Sequence, residues 1–257
     1  NAGGQLQFSL PIALPPGVKS VAPQINLTYS SDGGNGIAGY GWNISGITAI
    51  SRISKTVLTD GEVRGVQLDY SDYYSFNGQR LILKSGEYGK DGAEYITEKY
   101  SNFKIKSIGR AYDILAPLDG PAYFEVSFED GSRAWYGGFP NDNSITGNPG
   151  RTKMEYNIVK WMDLQGNYIS YNYSQTSNIT SNNVAAISSI QWGGNEKFNQ
   201  PHFNEIKFDY NTRDFREQSY VNNVSFIQDR ILKYITVNSN GNQFKKYEIE
   251  HKKIGSN

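Results

Sequence analysis

The segment Gly166-Asn167-Tyr168-Ile169-Ser170-Tyr171-Asn172-Tyr173 decides the fold class. It opens on a Gly-Asn turn signal. Ile169, Tyr171 and Tyr173 then fall on one face of an extended chain, with Ser170 and Asn172 on the other. A period of two marks a half-buried strand. The same pattern occurs at Gln5-Leu6-Gln7-Phe8-Ser9-Leu10 and at residues 24–29, 123–128, 205–210 and 244–249. Asp60-Gly61, Asn77-Gly78, Asp91-Gly92, Asp130-Gly131 and Asn240-Gly241 lie between such runs. These pairs tolerate the positive φ of tight turns. Strand, turn, strand is the recurring unit. The expected fold is all-β, a large antiparallel sheet or sandwich-like shell with many hairpins and little helix.

Helical spacing occurs best at residues 223–235, where Val224, Ile227, Ile231 and Leu232 can share a face. The β-branched Val224, Ile227 and Ile231, with Arg230 before Ile231, fit a loop leading into a strand equally well. Residues 137–150 and 174–183 read as loops rich in Gly, Asn, Ser and Thr. The expected organisation is a single domain over 1–257, with lobes 1–140 and 151–257 around the 137–150 loop. Asn1 in place of an initiator Met makes the chain read as an excised or processed piece.

Composition narrows the function. The 257 residues carry 25 Lys+Arg against 25 Asp+Glu, so no net charge draws the chain to nucleic acid or an anionic membrane. No apolar run approaches the about 18 residues of a transmembrane helix. The absence of cysteine excludes disulfides, thiolate nucleophiles and Cys-type zinc sites. Aromatics are 14% and charged residues 19%, against a usual charged share of about 25%. That is the composition of strands and turns.

Catalytic residue types are scarce. His202 follows Pro201 in a loop, His251 ends a strand, and no Gly-x-Ser-x-Gly elbow or His-Glu-x-x-His metal motif accompanies them. Glu248-Ile249-Glu250 has the form of a transferase Glu-x-Glu, with both carboxylates on one face of a strand, but lacks the supporting Arg and Ser-Thr-Ser elements. The stretch Asp32-Gly33-Gly34-Asn35-Gly36 lacks the bidentate Glu of a calcium loop and the Lys-Ser/Thr pair of a phosphate loop. The expectation is no enzyme and no cofactor. The 19 tyrosines admit another reading, a carbohydrate- or host-binding face of exposed rings. Trp42, Trp135, Trp161 and Trp192 sit among apolar residues and point to burial instead.

The N-terminal region carries an ordered series of motifs. Gly4-Gln5-Leu6-Gln7-Phe8-Ser9-Leu10-Pro11-Ile12 precedes Leu14-Pro15-Pro16-Gly17 and Leu27-Thr28-Tyr29-Ser30-Ser31. Gly34-Asn35-Gly36, Gly39-Tyr40-Gly41-Trp42-Asn43-Ile44 and Ile50-Ser51-Arg52 follow. Farther on come Trp161-Met162-Asp163-Leu164-Gln165-Gly166-Asn167 and Tyr171-Asn172-Tyr173. The series resembles the N-terminal domain of the SpvB/TcaC family, found in SpvB-type ADP-ribosylating toxins and in the B component of bacterial Tc toxins. Asn77-Gly78-Gln79-Arg80-Leu81 is faintly similar to an Rhs/YD repeat.

The resemblance implies a secreted, noncatalytic module that contributes β-sheet to a shell around a C-terminal effector, or helps its export. It implies partners in downstream propeller, Rhs-repeat or toxin domains of the same polypeptide, and in other toxin-complex subunits. Gly36, Gly39, Gly41, Trp42, Arg52, Trp161, Asp163, Gly166, Asn167 and Tyr171 are the motif residues, expected to be structural. A piece of a shell is also expected to expose a sheet edge or apolar flank, and so to self-associate weakly or to be only modestly stable in isolation.

Overall fold

A computed structural model describes residues 4–99, 101–111, 120–140, 150–175 and 184–252. The chain begins with five short strands, β1 (Gln7–Pro11), β2 (Asn26–Ser30), β3 (Asn35–Gly36), β4 (Gly39–Tyr40) and β5 (Trp42–Ser45). They form an antiparallel sheet in the order β1-β2-β5-β4-β3. Next come β6 (Ala49–Ile53), β7 (Tyr73–Phe76), β8 (Gln79–Ser85), β9 (Glu94–Thr97), β10 (Lys104–Ile108), β11 (Tyr123–Ser127), β12 (Arg133–Tyr136) and β13 (Glu155–Met162). Each pairs with its predecessor from β7 to β13, and β13 also pairs with β6. The eight strands therefore close into a barrel.

Closure leaves β13 with three neighbours. β12 occupies one edge over residues 158–162, so β6 and β14 must share the other, at residues 155–157 and 160–162. A sheet thus grows tangentially from the barrel wall through β14 (Asn167–Gln175), β15 (Ala185–Asn195), β16 (Asn204–Val221), β17 (Val224–Ser239) and β18 (Asn242–Glu248).

An eight-stranded barrel has room inside for side chains and little else. Here rings fill it. Tyr74, Phe76, Tyr95, Phe124, Tyr136 and Tyr156 are all buried. Phe124 meets Tyr156 edge to face at 4.9 Å and Tyr74 at 5.2 Å, while Phe76 meets Tyr136 at 5.5 Å. Such contacts add about 0.5–1.5 kcal/mol per pair beyond area burial. Burial of β7 and β11 alternates residue by residue, as their sequences require.

Tight turns join the hairpins. Asn77-Gly78 and Asn240-Gly241 hold φ of 50° and 72°, and of 49° and 77°. Asp60-Gly61 instead ends α1 (Val57–Asp60), a single turn capped by Thr56 at its start and by Gly61 at its end. Residues 223–235 are strand rather than helix. Asn222 and Asn223 form a left-handed two-residue turn, and the following residues pair with β16 from Val221 back to Asn204 around an irregularity between Thr212 and Glu217. Pairing with β16, joined from Tyr234 onward by β18, satisfies the backbone of β17 and overrides the helical spacing.

The five-stranded sheet lies against the tangential sheet. Trp192 Nε1–H donates to Pro15 C=O at 3.1 Å, Asn204 Nδ2–H to Pro16 C=O at 3.1 Å, and Leu232 N–H to Ile37 C=O at 2.8 Å. Of the two loops read from sequence, residues 141–149 and 176–183 lie outside the described residues.

Candidate functional site

The first motif is a fold of backbone on backbone. Gly36 in β3 faces Gly39 in β4, and a Cβ at Gly36 would lie 2.0 Å from Trp42 C=O. Gly41 has φ +76°, and a Cβ there would strike the Tyr29 ring at 2.6 Å. Only glycine fits either place. Trp42 is half-buried, its ring 5.3 Å from Tyr29 and 6.1 Å from Phe8. Asn43 Oδ1 accepts from Ile37 N–H at 3.2 Å and closes the arch.

The second motif is a clip. Asp163 Oδ1 accepts from the backbone N–H of Gln165 (2.9 Å) and Asn167 (2.8 Å), while Asn167 Nδ2–H donates to Asp163 Oδ2 at 2.8 Å. Asn167 is buried, and its Oδ1 accepts from Asn195 Nδ2–H at 2.8 Å. Gly166 C=O accepts from Glu196 N–H at 2.9 Å. The β13–β14 turn is thereby bolted to the β15–β16 connection. Trp161 lies in register between Ala134 and Ile169, and Tyr171 is buried beneath the sheet, which pushes its phenol above the ordinary range.

Arg52 forms the third centre. Its guanidinium is buried against Asp72, with Nη1 2.9 Å from Oδ2. Nε–H donates to Lys153 C=O at 3.0 Å and Nη1–H to Asp69 C=O at 2.6 Å. Asp72 in turn accepts from the backbone N–H of Gln67 and Leu68, both at 2.7 Å. Burial opposes the charge on Arg52, but nearby Tyr74, Tyr156 and Asp72 outweigh it and raise its pKa. The pair fastens the long β6–β7 connection and residue 153 to the barrel mouth. Sequence reading found Arg52 through its motif but missed Asp72, since no spacing links residues joined only by tertiary packing.

One contact has the outline of a catalytic dyad. Ser170 Oγ lies 3.0 Å from His202 Nε2. His202 Nδ1, however, accepts from Gly194 N–H at 3.3 Å, which leaves the ring proton on Nε2. The imidazole donates to the serine and cannot take its proton. Burial, reinforced by Lys160, lowers the His202 pKa to about 4, so the ring is neutral at pH 7. No sequence signal placed His202 beside Ser170. His251 Nε2 lies 2.7 Å from Leu232 C=O. Glu248 is exposed and bound to Lys233 at 2.8 Å, which holds its carboxyl below the usual range. Trp135 and Trp192 are buried, and Trp135 Nε1–H donates to Glu125 at 3.0 Å. Among the described residues no three His, Asp or Glu side chains gather as a metal site.

Several solved structures share this fold. The crystal structure of TcdB2-TccC3-Cdc42 matches with a TM-score of 0.64 at 14% identity, over 91% of this chain and 13% of that one. The N-terminal domain of effector protein SpvB from Salmonella typhimurium strain LT2 matches at 0.61 with 16% identity, over 90% of this chain and 86% of that one. A Photorhabdus luminescens Tc holotoxin pore matches at 0.63 with 13% identity, over 91% and 13%. The chain thus spans a small part of the Tc chains it resembles and most of the SpvB domain. No curated protein matches it. The family described as Salmonella virulence plasmid 65kDa B protein matches residues 1–245, and this chain, a toxin-associated all-β module, belongs to that SpvB family.

Proposed function

We propose that the chain is a noncatalytic structural and delivery module of a secreted bacterial toxin-related protein. Residues 1–257 act as one domain, contributing β-sheet to a shell that encloses a C-terminal effector or assists its export. Its partners are the downstream propeller, Rhs-repeat or toxin domains of the same polypeptide, and other subunits of a toxin complex.

The observation that carries this reading is the use made of the motif residues. Gly36, Gly39, Gly41 and Trp42 build an arch, Asp163, Gly166 and Asn167 a clip, and Arg52 a buried anchor. Trp161 and Tyr171 pack the sheet between them. The Arg52 guanidinium and the Asp163 and Asn167 side chains are all spent on backbone or on a neighbouring side chain. The alternative, a glycan-binding face, loses its strongest platform because Trp135 and Trp192 are buried.

The test uses the parent polypeptide. Limited proteolysis of the intact protein should leave its C-terminal segment uncut, and Asn167→Ala should expose that segment to cleavage. Equal cleavage with and without an intact module would refute the enclosing role.

A further inference from the structure

Strand β1 is an edge without the usual guards. Leu6 C=O accepts from Ser31 N–H at 3.0 Å, Ile12 N–H donates to Ile25 C=O at 2.9 Å, and the register between them runs without a shift. The even-numbered residues therefore bond to β2, and the backbone groups of Gln7, Ser9 and Pro11 point outward. Pro11 has no N–H and falls on that outward side, the position where proline is tolerated in a strand. Among the described residues no strand covers this side, and all of β1 is exposed.

Charge distinguishes this edge from the other. β18, the free end of the tangential sheet, carries Lys245 and Lys246. Lysine on an edge repels a second copy and blocks pairing. Residues 1–18 hold no charged side chain, and the whole chain has no net charge. No charge on β1 itself keeps two copies apart.

We propose that β1 is a homotypic strand-addition site, pairing antiparallel with β1 of a second copy of this chain. The backbone pattern selects the register. With Gln7 opposite the partner's Ser9 and Ser9 opposite the partner's Gln7, both residues exchange N–H and C=O and every outward donor among them is used. A shift that sets Pro11 opposite Gln7 leaves the Gln7 carbonyl without a donor. In the chosen register Phe8 meets the partner's Phe8 across the twofold axis, a non-hydrogen-bonded pair with Cα atoms about 4.5 Å apart. Phe8, Tyr29 and Trp42 are already aligned across β1, β2 and β5. The aromatic row therefore continues from one copy into the next, and cross-strand aromatic pairs stabilise sheets.

Sedimentation equilibrium tests the pairing. The weight-average mass of the chain should double as concentration rises. Ser9→Pro removes an outward N–H and leaves the β2 ladder intact, so it should hold the mass at the monomer value with unchanged circular dichroism, while Ser9→Ala still dimerises. Because the chain has no cysteine, Phe8→Cys reports the register. It should oxidise to a linked dimer faster than Phe244→Cys on β18. A wild-type chain that stays monomeric overturns the proposal and leaves the edge to a different strand. Dimerisation of Ser9→Pro equal to wild type, or equal cross-linking at positions 8 and 244, overturns it as well.

Discussion

The barrel and the five-stranded sheet are written in the same alternation and end in opposite surroundings. In β11, Phe124 and Val126 are both 0% exposed; in β1, Phe8 and Leu10 are 55% and 39% exposed. Both strands place apolar side chains on one face. What differs is closure. The barrel curls until β6 and β13 meet, which gives its inner face no route to water and removes its edges. The five-stranded sheet stops at β1 and covers only its middle, where Leu27 is buried. Alternation specifies a face, and the partner across that face must come from elsewhere.

If closure is what makes the barrel rigid, the largest effect lies in its anchor. Arg52→Met would strand Asp72 as a buried, unpaired carboxylate. Breaking such a pair from one side costs about 3–5 kcal/mol, read as a lowered urea midpoint. A loss below about 1 kcal/mol would mean that water reaches the pair. Next comes the clip, where Asn167→Ala leaves Asn195 and Asp163 without their partner. The cost should be about 1–3 kcal/mol, seen as a lower melting temperature.

The His202 contact predicts a pH dependence. Its folded pKa of about 4 lies below the unfolded value of 6.5, so charging the ring opposes the fold. The stabilisation is complete above pH 6.5 and is lost as pH falls toward 4. Urea midpoints of the wild type should fall across that window, and His202→Gln should flatten the fall. An unchanged slope would show that the ring is solvated.

The smallest effect belongs to the open sheet. Phe8→Ser removes an exposed side chain and should change monomer stability by no more than about 0.5 kcal/mol, as measured in dilute solution. A cost matching that of Asn167→Ala would mean that the five-stranded sheet is packed as firmly as the barrel.

Much of the local structure was legible. Asn77-Gly78 and Asn240-Gly241 announce their hairpins because both residues must adopt positive φ. The motif glycines were readable as packing residues, since Gly36 and Gly41 have no room for a Cβ. Closure was not legible. The pairing of Ile50 with Tyr156 joins residues far apart in the chain, and no period marks it. The hairpin of β16 and β17 was obscured because Val224, Ile227, Ile231 and Leu232 also fit a helical face, while the deciding signal was the Asn222-Asn223 turn before them. Asp72 and Ser170 were silent in sequence because Arg52 and His202 meet them only in the folded chain.

We propose that these motif residues hold a fold together and catalyse nothing. Incubating the purified chain with labelled NAD and a eukaryotic cell extract tests it most directly, given the Glu248-Ile249-Glu250 sequence. No label transfer and no NAD cleavage above the buffer control are expected. Transfer that Glu250→Gln or His202→Gln abolishes, with the fold intact, would contradict it.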